Sequence, residues 1–458
     1  MIVRVDKCHA FGLRKFGTSC QQVKPNLFIN NEKVGAVEIG AAFVYLGRSF
    51  NFKMTSDTHK TKLIETVEKF LRAIEQLPLH PKWKLLIYNR FVLSKISWDL
   101  TVSDISITWV KQNLDNIVSS FIRNTLEFPI SGTLHITTLA KNHYRLNIVL
   151  PSSRFAQCQV TYCSAQKKLV NNDVREIHQA TSTGKNINTD SFSTTKAALQ
   201  AIRGDTVTSI EQLSTQSLVI KSIWELSNTT TRAHWFHALS SLPRSIFNFT
   251  QRYLANCLPN RSNTVKWGTS TSATCEFCPN TQTLGHVISA CSSALRDGRY
   301  NWRHNSVIRA IARAALKVGN TVYADITEFP SPSTITGDAE RPDIVIVRGN
   351  DLFVLELTAG FETNLLKNYQ RKNLVYVDLL ARLSSTYANV CYLNLSMSAI
   401  GCVCSETNNL SAWLKDVGLT DNESIYTIRK AMKICLRTSY YIFCRRNSEW
   451  DAPDLLDW

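Results

Sequence analysis

Apolar residues change their rhythm several times along this chain, and each change predicts a different kind of element. From Leu27 to Phe52, short runs such as Ala42-Phe43-Val44-Tyr45-Leu46-Gly47 alternate with turn residues, which predicts strands and a small sheet fragment. A helical period then takes over. Ile64, Val67, Phe70, Leu71 and Ile74 recur at helix spacing, as do Trp109, Leu114, Ile117, Phe121 and Ile122. Between Gln179 and Thr195 the rhythm gives way to Ser, Thr, Asn and Gly, the composition of a flexible linker. Helical periodicity returns from Leu213 to Leu258 and again from Asn305 to Lys317.

The last third reads differently. Ile344 to Val347 and Leu352 to Leu357 are short apolar strands joined by Arg348-Gly349-Asn350-Asp351, which is hairpin-turn chemistry. A helix from Glu362 to Leu383, a strand from Val390 to Leu395 and two helices, Ser405 to Leu414 and Ser424 to Arg437, complete the pattern. Strands interleaved with helices predict a small α/β domain here, within a multidomain α+β chain.

Length supports that division: 458 residues exceed one ordinary core and point to two to four domains. Lys and Arg outnumber Asp and Glu by 52 to 36, a formal charge of +16, which favours polyanionic partners over acidic small substrates. The excess is clustered, since Arg232 to Lys317 holds eleven Lys or Arg against Glu276 and Asp297, a net of +9. Thirteen cysteines scattered from Cys8 to Cys444, with no signal peptide ahead of them, point to a reducing compartment rather than a disulfide framework. No stretch approaches the roughly 18 uninterrupted apolar residues of a membrane span, so a nuclear or cytoplasmic protein is expected.

Two constellations carry chemistry. Cys275 and Cys278 are three apart, His286 lies eight beyond the second and Cys291 five beyond the histidine, a spacing that suits tetrahedral zinc. Four ligands leave no open position, so the ion is expected to be structural; the alternative is unrelated buried thiols beside a core histidine. Downstream, Arg309, Arg313 and Lys317 recur every four residues on one helix face, where they could follow a phosphate backbone or simply form a solvated face. Further on, Asp343 follows Arg341-Pro342 at the mouth of one strand, and Glu356 interrupts the apolar run Phe353-Val354-Leu355 and Leu357. Two carboxylates on adjacent strands can share a magnesium ion beside a scissile phosphate. Alone, either reads as a strand-end acid. Lys372 adds weight because Leu365, Tyr369, Lys372, Tyr376 and Leu379 fall on one otherwise core-facing stripe, although its aliphatic stem could also carry the ammonium out to solvent.

Together these residues resemble the C-terminal part of the polyprotein of non-LTR retrotransposons that carry a restriction-enzyme-like endonuclease. The resemblance rests on Cys275-Glu276-Phe277-Cys278 with His286 and Cys291, on Gly298-Arg299-Tyr300-Asn301-Trp302-Arg303-His304, on Arg341-Pro342-Asp343, on Glu356-Leu357-Thr358 and on Lys372 followed by Tyr376. In many such nucleases the lysine stands two residues after the second acid, where this chain has Thr358; the resembled family moves it to the helix, the place of Lys372. More weakly, Val5-Asp6-Lys7-Cys8 and Tyr45-Leu46-Gly47 are similar to the end of a reverse-transcriptase palm and its primer grip.

The resemblance implies a palm remnant over 1–55, a thumb-like helical region over 56–178, a linker over 179–200, a helical connector over 201–270, a CCHC zinc module over 271–303 and a restriction-like endonuclease domain over 304–458. It implies nicking of target DNA, with catalytic Asp343, Glu356 and Lys372, magnesium on the two acids, structural zinc on the quartet, and DNA and element RNA as partners. No Asp-Asp dipeptide occurs, and Tyr323-Ala324-Asp325 is followed by Ile326 and lies after the quartet, so polymerisation is not expected from this chain. A truncated or domesticated element product is expected; the alternative is a catalytically inactive protein that binds nucleic acid.

Overall fold

The computed structural model describes residues 4–45, 48–52, 55–139, 146–181, 194–337, 340–407 and 410–453. They form two compact units, Met1–Thr125 with Leu146–Thr206, and Leu126–Arg145 with Val207–Trp458. The mixed α+β class is observed.

In the first unit the expected sheet fragment is a set of small two-stranded pieces. Gly12–Phe16 pairs with Ser19–Val23, Phe28–Ile29 with Glu32–Lys33, and Phe43–Tyr45 with Arg48–Phe50, all antiparallel, while His9–Ala10 pairs in parallel with Gly35–Ala36. Val5–Lys7 is a single 3₁₀ turn. Of the segment resembling a primer grip, Leu46 and Gly47 lie outside the described residues. Helices follow. Asp57–Gln76 buries Leu63, Val67, Leu71 and Ile74, so the core stripe runs through Leu63 and leaves Phe70 at 40% exposure. Pro81–Ile87 passes through a π turn, Tyr88–Val92, into Leu93–Val102, and Ile107–Val110 passes through a second, Lys111–Asp115, into Asn116–Leu126. Tyr88, Leu100, Leu114, Ile122 and Phe155 fill the interior. The fully buried Tyr88 hydroxyl donates to Val149 O (2.8 Å), meeting the need of a polar group removed from water. Most of the segment read as linker, 182–193, lies outside the described residues, and a helix, Thr195–Glu211, begins at its end.

The second unit contains both constellations singled out in the sequence. Its helices α1 (Leu218–Leu226), α2 (Arg232–Ser240) and α3 (Arg244–Leu254) precede the Cys/His quartet, and α4 (Arg299–Lys317) follows it. Helix α4 starts six residues before the periodicity suggests, because Gly298 takes a left-handed φ of 75° and turns the chain into it. Then come β1 (Thr321–Ala324), β2 (Ile344–Arg348), β3 (Asp351–Gly360), α5 (Leu365–Val375), α6 (Val377–Leu383), β4 (Asn389–Ser398), α7 (Leu410–Asp416) and α8 (Asp421–Cys444). The sheet order is β4-β3-β2-β1, antiparallel through β1, β2 and β3 and parallel between β3 and β4.

Both faces of the sheet are covered, which is why β3 reads as a nearly continuous apolar run. Val345, Leu352 and Val354 pack with Tyr376, Leu379 and Leu383 on one face. Phe353 points the other way, its ring edge-on to Trp413 of α7 at 6.2 Å. Helix α4 packs against β1, β2, β3 and α8. Helix α8 starts with a capping box, Thr420 and Glu423 satisfying one another's backbone.

Candidate metal centre and active site

The quartet forms where three local devices fold the chain back on itself. A bridge pairs Thr274 with Thr281, and Cys275 N–H donates to Asn280 O (2.9 Å), closing the turn that brings Cys275 and Cys278 together. The π turn His286–Ala290 then presents the imidazole, and Cys291 begins the short helix Ser292–Arg296. All four ligand atoms lie within 4.8 Å of one another. Cys278 Sγ is 3.9 Å from Cys291 Sγ and 3.3 Å from His286 Nε2. Two thiolates about 2.3 Å from a tetrahedral ion would stand about 3.8 Å apart, so the spacing is that of a zinc-sized centre.

The donors differ in how readily they give up a proton, and burial pushes the Cys291 thiol up. Burial pulls the His286 imidazole down, toward the neutral form that ligates. Burial pushes Cys278 up, but hydrogen bonds led by Asn280 N–H outweigh it and leave the thiol below its usual range. The cavity beside Cys275, His286 and Cys291 has a volume of ≈10 Å³, so no substrate fits beside this cluster. Tyr300 of α4 holds it in place: its hydroxyl accepts from Cys291 N–H (3.1 Å) and lies 3.2 Å from His286 O and 3.0 Å from Val287 O.

The acidic pair stands at one end of the hairpin. Ile344 pairs with Leu355, so Asp343 and Glu356 are opposed one step further on, and Asp343 N–H donates to Glu356 Oε2 (3.3 Å). Leu357 N–H donates back to Asp343 Oδ2 (2.7 Å). Glu356 is only 2% exposed, and its partners are those the sequence placed on the helix. The Lys372 ammonium donates to Glu356 Oε1, and Tyr376 OH to Glu356 Oε2 (2.8 Å). Burial and then the charge of Asp343 push the Glu356 carboxyl up, while Lys372 and Tyr376 pull against them. Burial, with Glu356 beside it, drives the Tyr376 phenol well above its ordinary range, so it stays a donor.

His304, on α4, completes the cluster. Its Nε2 is 3.2 Å from Asp343 Oδ2 and 3.2 Å from Leu357 O. Burial alone would pull this imidazole down, but the hydrogen bond and charge of Asp343 prevail and lift it to about 9. The next residue back, Arg303, is fully buried and donates to Ile288 O (3.1 Å), Ser439 Oγ (3.2 Å) and Ala359 O (3.1 Å), which fixes α4 against the Cys/His cluster, β3 and α8.

The donors Asp343, Glu356 and the Leu357 carbonyl are all hard oxygens, the set that suits magnesium. Lys372 and His304 supply positive charge against the two carboxylates, so the fold holds the pair together by its own groups. Thus Asp343, Glu356 and Lys372 come together, and Cys275, Cys278, His286 and Cys291 come together separately. The stripe Arg309, Arg313 and Lys317 fares differently. Arg309 Nε (2.5 Å) and Arg313 (2.8 Å) both hold Glu328, which engages two of the three cations and offsets one of their charges; Lys317 is exposed and makes no ion pair among the described residues. Asp325, at the end of β1, pairs with Arg341 of the motif beside Asp343.

His304 closes the resembled stretch Gly298 to His304 but was not singled out as a site residue, and the Leu357 carbonyl carries no pattern in the sequence. The helix read from Asn305 stopped one residue short of His304; Gly298, whose left-handed φ opens α4 at Arg299, was the signal that could have included it. No protein-family model matches the chain, and no curated protein shows a significant sequence match to it.

Proposed function

We propose that the second unit is a metal-dependent endonuclease that nicks DNA, with the Cys/His quartet as a structural zinc module, of the kind carried by non-LTR retrotransposons. The observation that carries this reading is the pair Asp343 and Glu356, opposed across one hairpin and both contacted by cationic side chains from flanking helices. Asp343, Glu356 and the Leu357 carbonyl would hold magnesium, which supplies charge stabilisation at the scissile phosphate and a more acidic bound water. Lys372, the cation nearest the acidic pair on α5, orients the attacking water or stabilises the charge that develops on phosphorus. Tyr376 fixes the Glu356 carboxylate, and His304 fixes Asp343 from the other side. The basic balance of the chain, +16, supports a polyanionic substrate.

The test is conversion of supercoiled plasmid to open circle by the purified chain. Nicking that requires magnesium and disappears in Asp343→Ala is the expected result. Retained DNA binding with no nicking under any divalent ion would instead leave a protein that grips nucleic acid without cutting it.

A further inference from the structure

Helices α2 and α8 border a cleft of ≈380 Å³ whose charged lining is entirely basic: Arg429, Lys430, Lys433 and Arg437 from α8, with His237 facing them from α2. Helix α8 has acids only in its first turn, where Asp421 is held by Lys415 and Glu423 by Thr420; α2 has none. Arg429, Lys430 and Lys433 make no ion pair among the described residues. An ordinary solvated basic face lets its side chains spread into water. Here all four cationic residues of α8 are half-buried, and Arg429 Nε is cut off from solvent with no hydrogen-bond partner. The groups already repel one another: burial lowers Lys433 first, then Arg437 and Arg429 lower it further. Like charges held together at this cost call for an anion.

We infer that this cleft is a second nucleic-acid site, which takes single-stranded phosphodiester backbone along Arg429, Lys433 and Arg437 and a base on Tyr426. Residues four apart on a helix are spaced about 6 Å along its axis, the scale of one nucleotide of extended strand. Tyr426, 67% exposed one turn before Arg429, offers the ring face on which a base stacks. A duplex cannot enter a cleft of this size, and a merely acidic peptide would leave the ring unused. The inference shares with the proposed function only the premise that nucleic acid is the partner; it needs no catalytic residue.

The experiment is fluorescence anisotropy of the full chain with labelled single-stranded DNA, single-stranded RNA and duplex, across a salt series. In Arg429→Gln/Lys433→Gln, affinity for single strands is expected to fall roughly tenfold at moderate salt, and the salt slope by about 1.4, about 0.7 for each lost contact. Tyr426→Ala is expected to weaken single strands and leave duplex binding unchanged. Nicking of plasmid and affinity for single strands are separate readouts of the parent protein, so failure of either idea is visible without the other. Should the double variant fold poorly, mass-spectrometric acetylation of the unaltered protein replaces it, with oligonucleotide expected to shield Lys430 and Lys433. Unchanged affinity and slope, or no shielding, overturns the inference. So does a loss confined to an acidic peptide or anionic vesicles, tested alongside.

Discussion

At the scale of single residues, the acids and the lysine were legible because each breaks a pattern. Glu356 interrupts an apolar strand and Lys372 an apolar helix stripe, and a charge in such a position needs a partner, which each is for the other. His304 was not legible as a site residue, because it sits among Asn301, Arg303 and Asn305, where a polar side chain is unremarkable. Its role comes from a contact 39 residues away in the chain, and it makes a pH prediction. The imidazole is raised in the fold from an unfolded value near 6.5 to about 9, so its stabilisation is complete below about 6.5 and is lost as pH rises through about 9. Urea unfolding from pH 6 to pH 9.5 should lose on the order of 3 kcal/mol through this group, and His304→Gln should flatten that slope. Equal slopes in both proteins would remove His304 from the account. Lys372→Met tests the other flank: nicking should drop about a hundred- to a thousand-fold while DNA affinity barely moves, and loss of binding instead would make the lysine a grip.

Among the elements, long periodic segments were readable and short or interrupted ones were not. The helix expected from Glu362 to Leu383 is divided at Tyr376, where the chain turns enough for the phenol to reach Glu356. Strand β1 escaped because Thr321-Val322-Tyr323-Ala324 is too brief for alternation to register; its partner β2 supplies the reason for it to be a strand. The turn after β4 depends on one glycine. Gly401 has φ of 86°, and a Cβ there would lie 2.9 Å from Met432 Cα and 3.1 Å from Met432 O. Gly401→Ala should therefore cost about 2–4 kcal/mol by chemical denaturation, since backbone of α8 cannot step aside as a side chain would. The quartet was readable from spacing alone, because a tight turn must place Cys275 and Cys278 side by side. Protein purified with zinc should hold one ion per chain by mass spectrometry, and chelation should lower the melting temperature. Cys291→Ser should lose the ion, and a full zinc content in that variant would exclude Cys291 as a ligand.

For the molecule as a whole, composition gives the sign of the net charge but not where that charge stands free. A net charge of +16 pointed to a polyanion, yet the nominated stripe on α4 has two of its three cations engaged by Glu328, which lies beyond the helix and could not be matched to it from sequence. None of the thirteen cysteines is joined in a disulfide. Among the described residues no helix is long and apolar enough to cross a membrane. The missing Asp-Asp predicts that primed RNA with nucleotides yields no extension by the pure chain; robust extension would refute that. One contact set has a consequence for heredity. A single guanidinium, that of Arg303, joins Ile288 beside the Cys/His cluster, Ala359 at the end of β3 and Ser439 of α8. Recombination that exchanged any of these segments between diverged relatives would strand the arginine in an interior it no longer fits. The three should therefore be inherited as one block, with crossovers tolerated on either side of it and selected against within.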